Sequence, residues 1–429
     1  MERTKAIYPL QQGEHQSIKQ RMLGWANQFS ILCFLDNNEY PSEYGRYECL
    51  LAVAGNDTPA ATSLPALQAL HDKHKDWLFG NIAYEYKNDL HPMLSSRHRR
   101  KLGIHKFHFF VPETVCYISK DHSTLTIETL HPQVADIYNA ITSADAEASE
   151  PMPQVEWTYT TGKDEYLKTV AALQEHIVNG DCYEINYCTE GFVPEVCVAP
   201  MQIFARLNNL SPAPFAAYYR LYDLHMACAS PERYLCKKGN HLVTQPIKGT
   251  IRRDVDSAKD NLLKEKLRTD IKEQAENIMI VDLMRNDLAR CSETNSVRVD
   301  ELFGIYTFPQ VHQMISTISS TLRADMTFTD ALRYSFPMGS MTGAPKIKVM
   351  QLIDKYEKSR RELFSGTVGY ITPDGDFDFN VVIRSLFYNA ATQFLSYHTG
   401  GAITADSVPE KEYDEMRLKA WALERVFKS

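Results

Sequence analysis

Pro246-Ile247-Lys248-Gly249-Thr250 sets one lysine between two residues that constrain the backbone. Pro246 fixes its own φ and lacks an N–H, while Gly249 permits a positive φ and a close backbone approach. The apolar alternation at 241–244 runs a strand directly into this stiff bend. Upstream, 182–188, 216–222, 225–229 and 234–236 also read as strands. Consecutive strands joined by short turns, with no helix between them, favour antiparallel pairing. A lysine mounted this way is a candidate nucleophile. At its ordinary pKa of about 10.4 it is protonated near neutrality, and Arg252 and Arg253 are expected to lower that value.

Toward the amino terminus, 28–35, 78–86, 106–112, 115–118 and 124–128 have strand grammar, so the first third is expected to be mostly β. His105 and His108 invite a metal role, but residues three apart on a strand point to opposite faces. Between 141 and 155 the chain turns to Ala, Ser, Asp, Glu and Pro, the expected linker. It divides an N-terminal β-rich region, 1–155, from a second region, 156–429. There, Tyr166, Val170, Leu173 and Ile177 have helical spacing and stop at Gly180.

Beyond the lysine, 257–290 is strongly helical. Glu273 and Glu276 share one face, and Ile271, Ala275, Ile278, Met279 and Leu283 can form the buried stripe. A second helix, 409–427, carries Glu412, Glu415 and Lys419 on one side and Met416, Ala420, Leu423 and Phe427 on another. Two such carboxylate pairs suit a hard dication such as Mg²⁺, which takes oxygen ligands and keeps several waters. Between the helices, Phe336-Pro337-Met338-Gly339-Ser340-Met341-Thr342-Gly343-Ala344-Pro345-Lys346 is glycine-rich but does not match a phosphate loop. A tight turn that faces Ser340 and backbone N–H groups toward an anion, at the start of a helix over 347–356, is expected instead. Strands follow at 364–370, 379–388 and 392–399, the last ending at Gly400-Gly401. Arg384, set among Val381, Val382, Ile383, Leu386 and Phe387, needs a partner if it points inward.

The composition excludes several classes. With 429 residues, 44% hydrophobic and 23% charged, the chain is globular and has material for two or three domains or one large two-lobed one. A net charge of −8 argues against a nucleic-acid binder. Nine scattered cysteines, never spaced CxxC, suit a reducing compartment and no zinc site. Residues 1–20 hold no signal-like apolar core and no apolar run approaches 18 residues, so a cytoplasmic protein without a membrane segment is expected.

Ser230-Pro231-Glu232-Arg233, the PIKGT bend, and the segments 273–288, 339–346 and 400–415 together resemble the chorismate-utilising enzymes, in order and spacing, from about Thr161 to the C-terminus. The resemblance implies an α+β fold of two layered antiparallel β-sheets with helices outside and the active site in the cleft. A lysine in PIKGT is what the members that make 4-amino-4-deoxychorismate carry, where the anthranilate-forming members read PIAGT. By that resemblance Lys248 adds at C2 of chorismate, Glu232 protonates the departing C4 hydroxyl, and His312 supports the same oxygen. Ammonia then expels the lysine, as a step toward p-aminobenzoate and folate. Glu276 and Glu415 would hold Mg²⁺ directly, Glu273 and Glu412 through waters, with Lys419 close to the substrate carboxylate. Arg384 and Ser340, with backbone N–H groups near Gly249, Thr250 and Gly400, would hold the enolpyruvyl carboxylate and the ring. No glutaminase region with a cysteine elbow is present in the sequence, so the resemblance implies a separate glutamine amidotransferase subunit. Glu184 stands where the amino-transferring members more commonly carry glutamine and the isochorismate-forming members a lysine. Phe364 stands where others have tyrosine. Two alternatives are an anthranilate-forming enzyme, against which Lys248 speaks, and a non-catalytic regulator that binds chorismate or tryptophan.

Overall fold

Alternate residues of the strands Ile31–Asp36 and Tyr47–Ala54 belong to different cores. Ile31, Cys33, Leu50, Ala52 and Ala54 join a core shared with Leu78, Phe79 and Phe379, while Leu32, Phe34, Cys49, Leu51 and Val53 pack with Ile18, Met22 and Phe204. Side chains on a strand alternate between its faces, so a strand buried on both faces reads as an unbroken apolar run. The first core lies between two sheets and the second lies under helices.

The computed structural model describes residues 2–144, 152–308 and 311–428. Among these, twelve strands form a first sheet and ten a second. The first runs, edge to edge, Thr4–Pro9, Thr124–Thr129, Thr114–Ser119, Tyr47–Ala54, Ile31–Asp36, Phe215–Leu221, Leu224–Ser230, Ser385–Asn389, Phe394–Ile403, Glu184–Val193 and Gly343–Ala344, with Thr158–Tyr159 also on Glu184–Val193. The second runs Ile247–Arg252, Val311–Thr321, His241–Gln245, Arg233–Lys238, Phe377–Asn380, Thr367–Ile371, Leu78–Ile82, Phe107–Phe110 and Ala60–Ala61, with Arg298–Thr307 also on Val311–Thr321. The described pairings are antiparallel, and the fold is α+β with two antiparallel sheets. Strands from before and after residue 155 are neighbours in both sheets: Ile31–Asp36 pairs with Phe215–Leu221, and Leu78–Ile82 with Thr367–Ile371. Of the expected linker, 145–151 lie outside the described residues.

Two short passes between the sheets carry site residues. It leaves the first sheet at Ser230 and enters the second at Arg233, then leaves the second at Asn380 and returns to the first at Ser385. The passes are stitched together: Val381 N–H donates to the Glu232 carbonyl at 3.0 Å, and Ala229 N–H to the Arg384 carbonyl at 3.2 Å. The strand expected over 379–388 is therefore two strands in different sheets.

Other expectations also change. Glu14–Ala26, Leu64–His74 and Val134–Ser143 are helices within a third expected to be mostly β. The expected strand 78–86 ends at Ile82 and gives way to a 3₁₀ turn at Tyr84–Tyr86. The expected helix 257–290 is two, Ser257–Thr269 and Ile271–Ala289, because the Asp270 carboxylate accepts from Lys272 and Glu273 N–H at 3.0 and 3.2 Å and caps a new start. The buried stripe of that second helix holds Glu276, Asn277, Ile280, Val281, Met284, Asp287 and Leu288; Ile271 is 82% exposed and Ile278 46%. The acidic face is turned inward. The last long strand continues through Gly400 and Gly401 to Ile403, because a Cβ at Gly400 would stand 2.1 Å from the Tyr187 carbonyl oxygen across the ladder.

Beneath the first sheet, Lys19 Nζ lies 2.6 Å from Asp36 Oδ1 and 2.5 Å from Glu48 Oε1, with all three side chains buried. Lys19→Met removes the only cation of this described trio and leaves two buried carboxylates uncompensated. Its unfolding free energy, measured by denaturant titration, is expected to fall by about 3–5 kcal/mol; a loss below about 1 kcal/mol would mean that the carboxylates do not depend on Lys19.

Candidate active site

Lys248 sits on the edge strand Ile247–Arg252, whose register against Val311–Thr321 shifts between Ile247 and Thr250. Gly249 takes φ +89° at that irregularity, as its place in the bend requires. The shift aims Lys248 at the opposite sheet. Its Nζ donates to Glu184 Oε1 at 2.6 Å, with the two side chains only 9% and 0% exposed. Burial disfavours the charged amine, but Glu184, Glu276 and Glu232 together outweigh it and hold Lys248 above its ordinary pKa. The expectation that Arg252 and Arg253 lower it does not hold: Arg252 is exposed and the Arg253 guanidinium is committed to Asp260 at 3.0 Å.

Glu232 rides the first pass between the sheets and is buried. Burial pushes its carboxyl up to about 7, against the pull of the Ser340 hydroxyl and the charge of Lys248. It is thus able to hold a proton near neutral pH. Arg384 rides the second pass in a left-handed bend, φ +51°, and not in a strand. Burial lowers its pKa, and the charge of Glu232 acts in the opposite direction. Ser340 is held from behind, where the Asn186 side-chain amide donates to its carbonyl at 2.7 Å. Lys346 Nζ is spent on Asp287 Oδ2 at 2.5 Å, and a Cβ at Gly339 would stand 2.5 Å from Leu283 and Met284, so that glycine serves close packing.

The four glutamates come from Ile271–Ala289 and Pro409–Glu424. Glu276 and Glu412 are buried, and Glu415 is 55% exposed. Burial first, and then neighbouring carboxylates, pushes Glu276 up to about 7 and raises Glu273. Lys419, 2.8 Å away, instead holds Glu415 low. Lys419 also donates to the Gly400 carbonyl at 3.0 Å, and Gly401 leaves room beside the Glu412 and Glu415 tips. Among the described residues no three acidic, histidine or cysteine side chains stand close enough together to hold an ion. The donor set nevertheless fits a hard dication, because it is all oxygen, partly desolvated and like-charged. Lys272 Nζ lies 3.6 Å from Glu276 and 3.5 Å from Glu412, bridging the helices.

The structure does not turn His312 toward this group. It is fully buried, with Nε2 on Asp260 at 2.8 Å and Nδ1 on Thr307 at 3.1 Å. Neighbours on a strand face opposite ways, and it is Gln313 that stands opposite Thr250, with Nε2 3.5 Å from the threonine hydroxyl and a buried Oε1 that has no partner among the described residues. Strand phase alone identifies Gln313 once the pairing is known. Lys272 was legible four residues before Glu276, and Glu184 as a carboxylate in a buried strand. Phe364 stacks on His398 at 5.3 Å and offers no hydroxyl. His105 precedes its expected strand and lies 5.9 Å, ring to ring, from His108, so the two are not on opposite faces.

The chain is 39% identical over 298 residues to aminodeoxychorismate synthase component 1 of Salmonella typhimurium, covering 69% of this chain and 65% of that protein. It is 35% identical over 264 residues to the component 1 of Bacillus subtilis, covering 62% and 56%, and 33% identical over 362 residues to a probable aminodeoxychorismate synthase of Oryza sativa, covering 83% and 37%. The chain thus spans less than two thirds of the length of these curated relatives. The fold is that of anthranilate synthase component I from Streptococcus pneumoniae, with TM-score 0.76, 22% identity and coverage of 98% and 92%. It is likewise that of the menaquinone-specific isochorismate synthase from Escherichia coli, with TM-score 0.78, 17% identity and coverage of 100% and 95%. Residues 34–425 match the model of the chorismate binding enzymes, and the chain belongs to that family.

Proposed function

We propose that this chain is an aminodeoxychorismate synthase component I, which replaces the C4 hydroxyl of chorismate with ammonia to give 4-amino-4-deoxychorismate, a precursor of p-aminobenzoate and folate. The observation that carries this is the buried Lys248 amine facing Glu184 and Glu232 at the seam between the sheets. The names of the relatives support it. Lys248 adds at C2 while the C4 hydroxyl leaves with the proton of Glu232, whose raised pKa keeps that proton available near neutrality. Ammonia adds at C4 and expels the amine, restoring Lys248. Arg384, Ser340, Thr250 and the backbone around Gly249 and Gly400 bind the enolpyruvyl carboxylate and the ring. Glu273, Glu276, Glu412 and Glu415 would hold Mg²⁺, which would supply charge neutralisation at the ring carboxylate; Lys272 would then have to leave its bridge, with Lys419 near that carboxylate. His312 stays with Asp260 and supports the strand. Ammonia comes from a glutamine amidotransferase partner. Cytoplasmic placement is supported by nine free cysteines, eight of them not exposed, and no described helix is long and apolar enough to cross a membrane.

Incubated with chorismate, Mg²⁺ and ammonium, the chain is expected to release 4-amino-4-deoxychorismate, identified by mass and absorbance. Anthranilate or isochorismate as the product would assign it to another branch of the family. Lys248→Ala is expected to lower turnover on the order of a thousand-fold or more while chorismate still binds in calorimetry; an unchanged rate would remove the lysine from the chemistry. Calorimetric titration of Glu276→Gln with Mg²⁺ is expected to show affinity about tenfold or more weaker than the parent. The same affinity in both would mean that Glu276 is not a ligand.

A further inference from the structure

Of the acids that face the Lys248 amine, Glu184 makes the hydrogen bond. Glu184, Cys188, Glu232, Glu273, Glu276 and Glu415 surround the amine from the opposite sheet, the first pass and the two glutamate helices. At 2.6 Å from Nζ, Glu184 Oε1 is the acceptor given in the structure. Glu184 is fully buried on an inner strand, its backbone paired with Ala344, so it is held away from water. Its second oxygen, Oε2, is buried with no hydrogen-bond partner among the described residues. A carboxyl group offers two oxygens as acceptors, and here Oε1 takes the Lys248 amine.

A protonated lysine has no lone pair to attack with, and the geometry points to where its proton goes. We propose that Glu184 is the proton acceptor for Lys248: it takes one proton from the ammonium before attack, keeps it while the amine is bonded to substrate, and returns it when the amine is released. Glu184 is thereby a catalytic partner of the nucleophile. This requires Lys248 to be the nucleophile, as in the function proposed above.

The protons balance. Transfer within the ion pair leaves a neutral amine and a neutral carboxyl. The amine forms the N–C2 bond as the C4–O bond breaks, and the hydroxyl leaves as water with the proton of Glu232, so the adduct is a secondary ammonium and Glu232 a carboxylate. Ammonia forms the N–C4 bond as the N–C2 bond breaks, which releases Lys248 as a neutral amine and the product as an ammonium. The product gives one proton back to Glu232, and Glu184 returns its own to Lys248. The sum is chorismate plus ammonia giving the aminated product plus water.

The test is the first half-reaction. The Mg²⁺-loaded full chain is mixed with chorismate without ammonia and quenched in acid, and the Lys248 adduct, chorismate less one water, is followed by intact-protein mass from pH 7 to 9. Glu184→Gln keeps size and hydrogen bonding but cannot take the proton, which must then go to solvent. At pH 7 it is expected to form the adduct at least about tenfold more slowly than the parent, and the parent-to-variant ratio is expected to shrink as the pH rises. Taking the ratio removes the contribution of Glu232, common to both. A ratio near one, or one that does not change with pH, overturns the proposal. Chorismate affinity by calorimetry checks that the variant is folded. Should Glu184→Gln fail to fold, Glu184→Asp carries the test: with a carboxylate retained, its ratio to the parent is expected to stay constant with pH, and a ratio that varies overturns the role. A parent that forms no adduct at all means that Lys248 is not the nucleophile, a different failure from an adduct that forms without help from Glu184.

Discussion

The ion pair between Lys248 and Glu184 joins the edge strand of one sheet to an inner strand of the other, in a place that water hardly reaches. Two charges taken out of water repay their desolvation only when the geometry is good and the surroundings are balanced. Here the balance is distributed: Glu232 and Glu276 act on Lys248, and Arg384 acts on Glu232. The pair spans the seam between the two sheets, and Glu232 and Arg384 lie on the two passes that cross the same seam.

Similar acids acquire different duties from their surroundings. Glu232 and Glu276 are both pushed up to about 7, chiefly by burial, yet one has a serine hydroxyl beside it and the other a lysine bridge to a second helix. Glu415, half-exposed beside Lys419, goes the other way and remains a carboxylate.

What could be read from the chain was local. Pro246 and Gly249 announced the bend that presents Lys248, and the three-residue spacing of Glu273 with Glu276 and of Glu412 with Glu415 placed each pair on one helix face. What could not be read depended on partners far away in sequence. The choice between His312 and Gln313 is one of strand phase, set by pairing with residues 247–252. The buried stripe of Ile271–Ala289 was misplaced because the face that lines a polar site need not be the most apolar one. Arg253 was expected to act on Lys248 until Asp260, one turn into a helix, claimed it. Nothing in 379–388 marks the change of sheet, since apolar residues suit either.

The interleaving of early and late strands has a temporal consequence. Ile31–Asp36 acquires its neighbour Phe215–Leu221 only after about 180 further residues have been joined, roughly ten to forty seconds at about 5–20 residues per second on the ribosome. Leu78–Ile82 waits longer still, for Thr367–Ile371. Through that interval the nascent chain carries apolar strands with open edges, the condition that invites association with other chains. Maturation of this chain is therefore expected to lean on chaperones or on slow translation to a degree that its ordinary composition conceals.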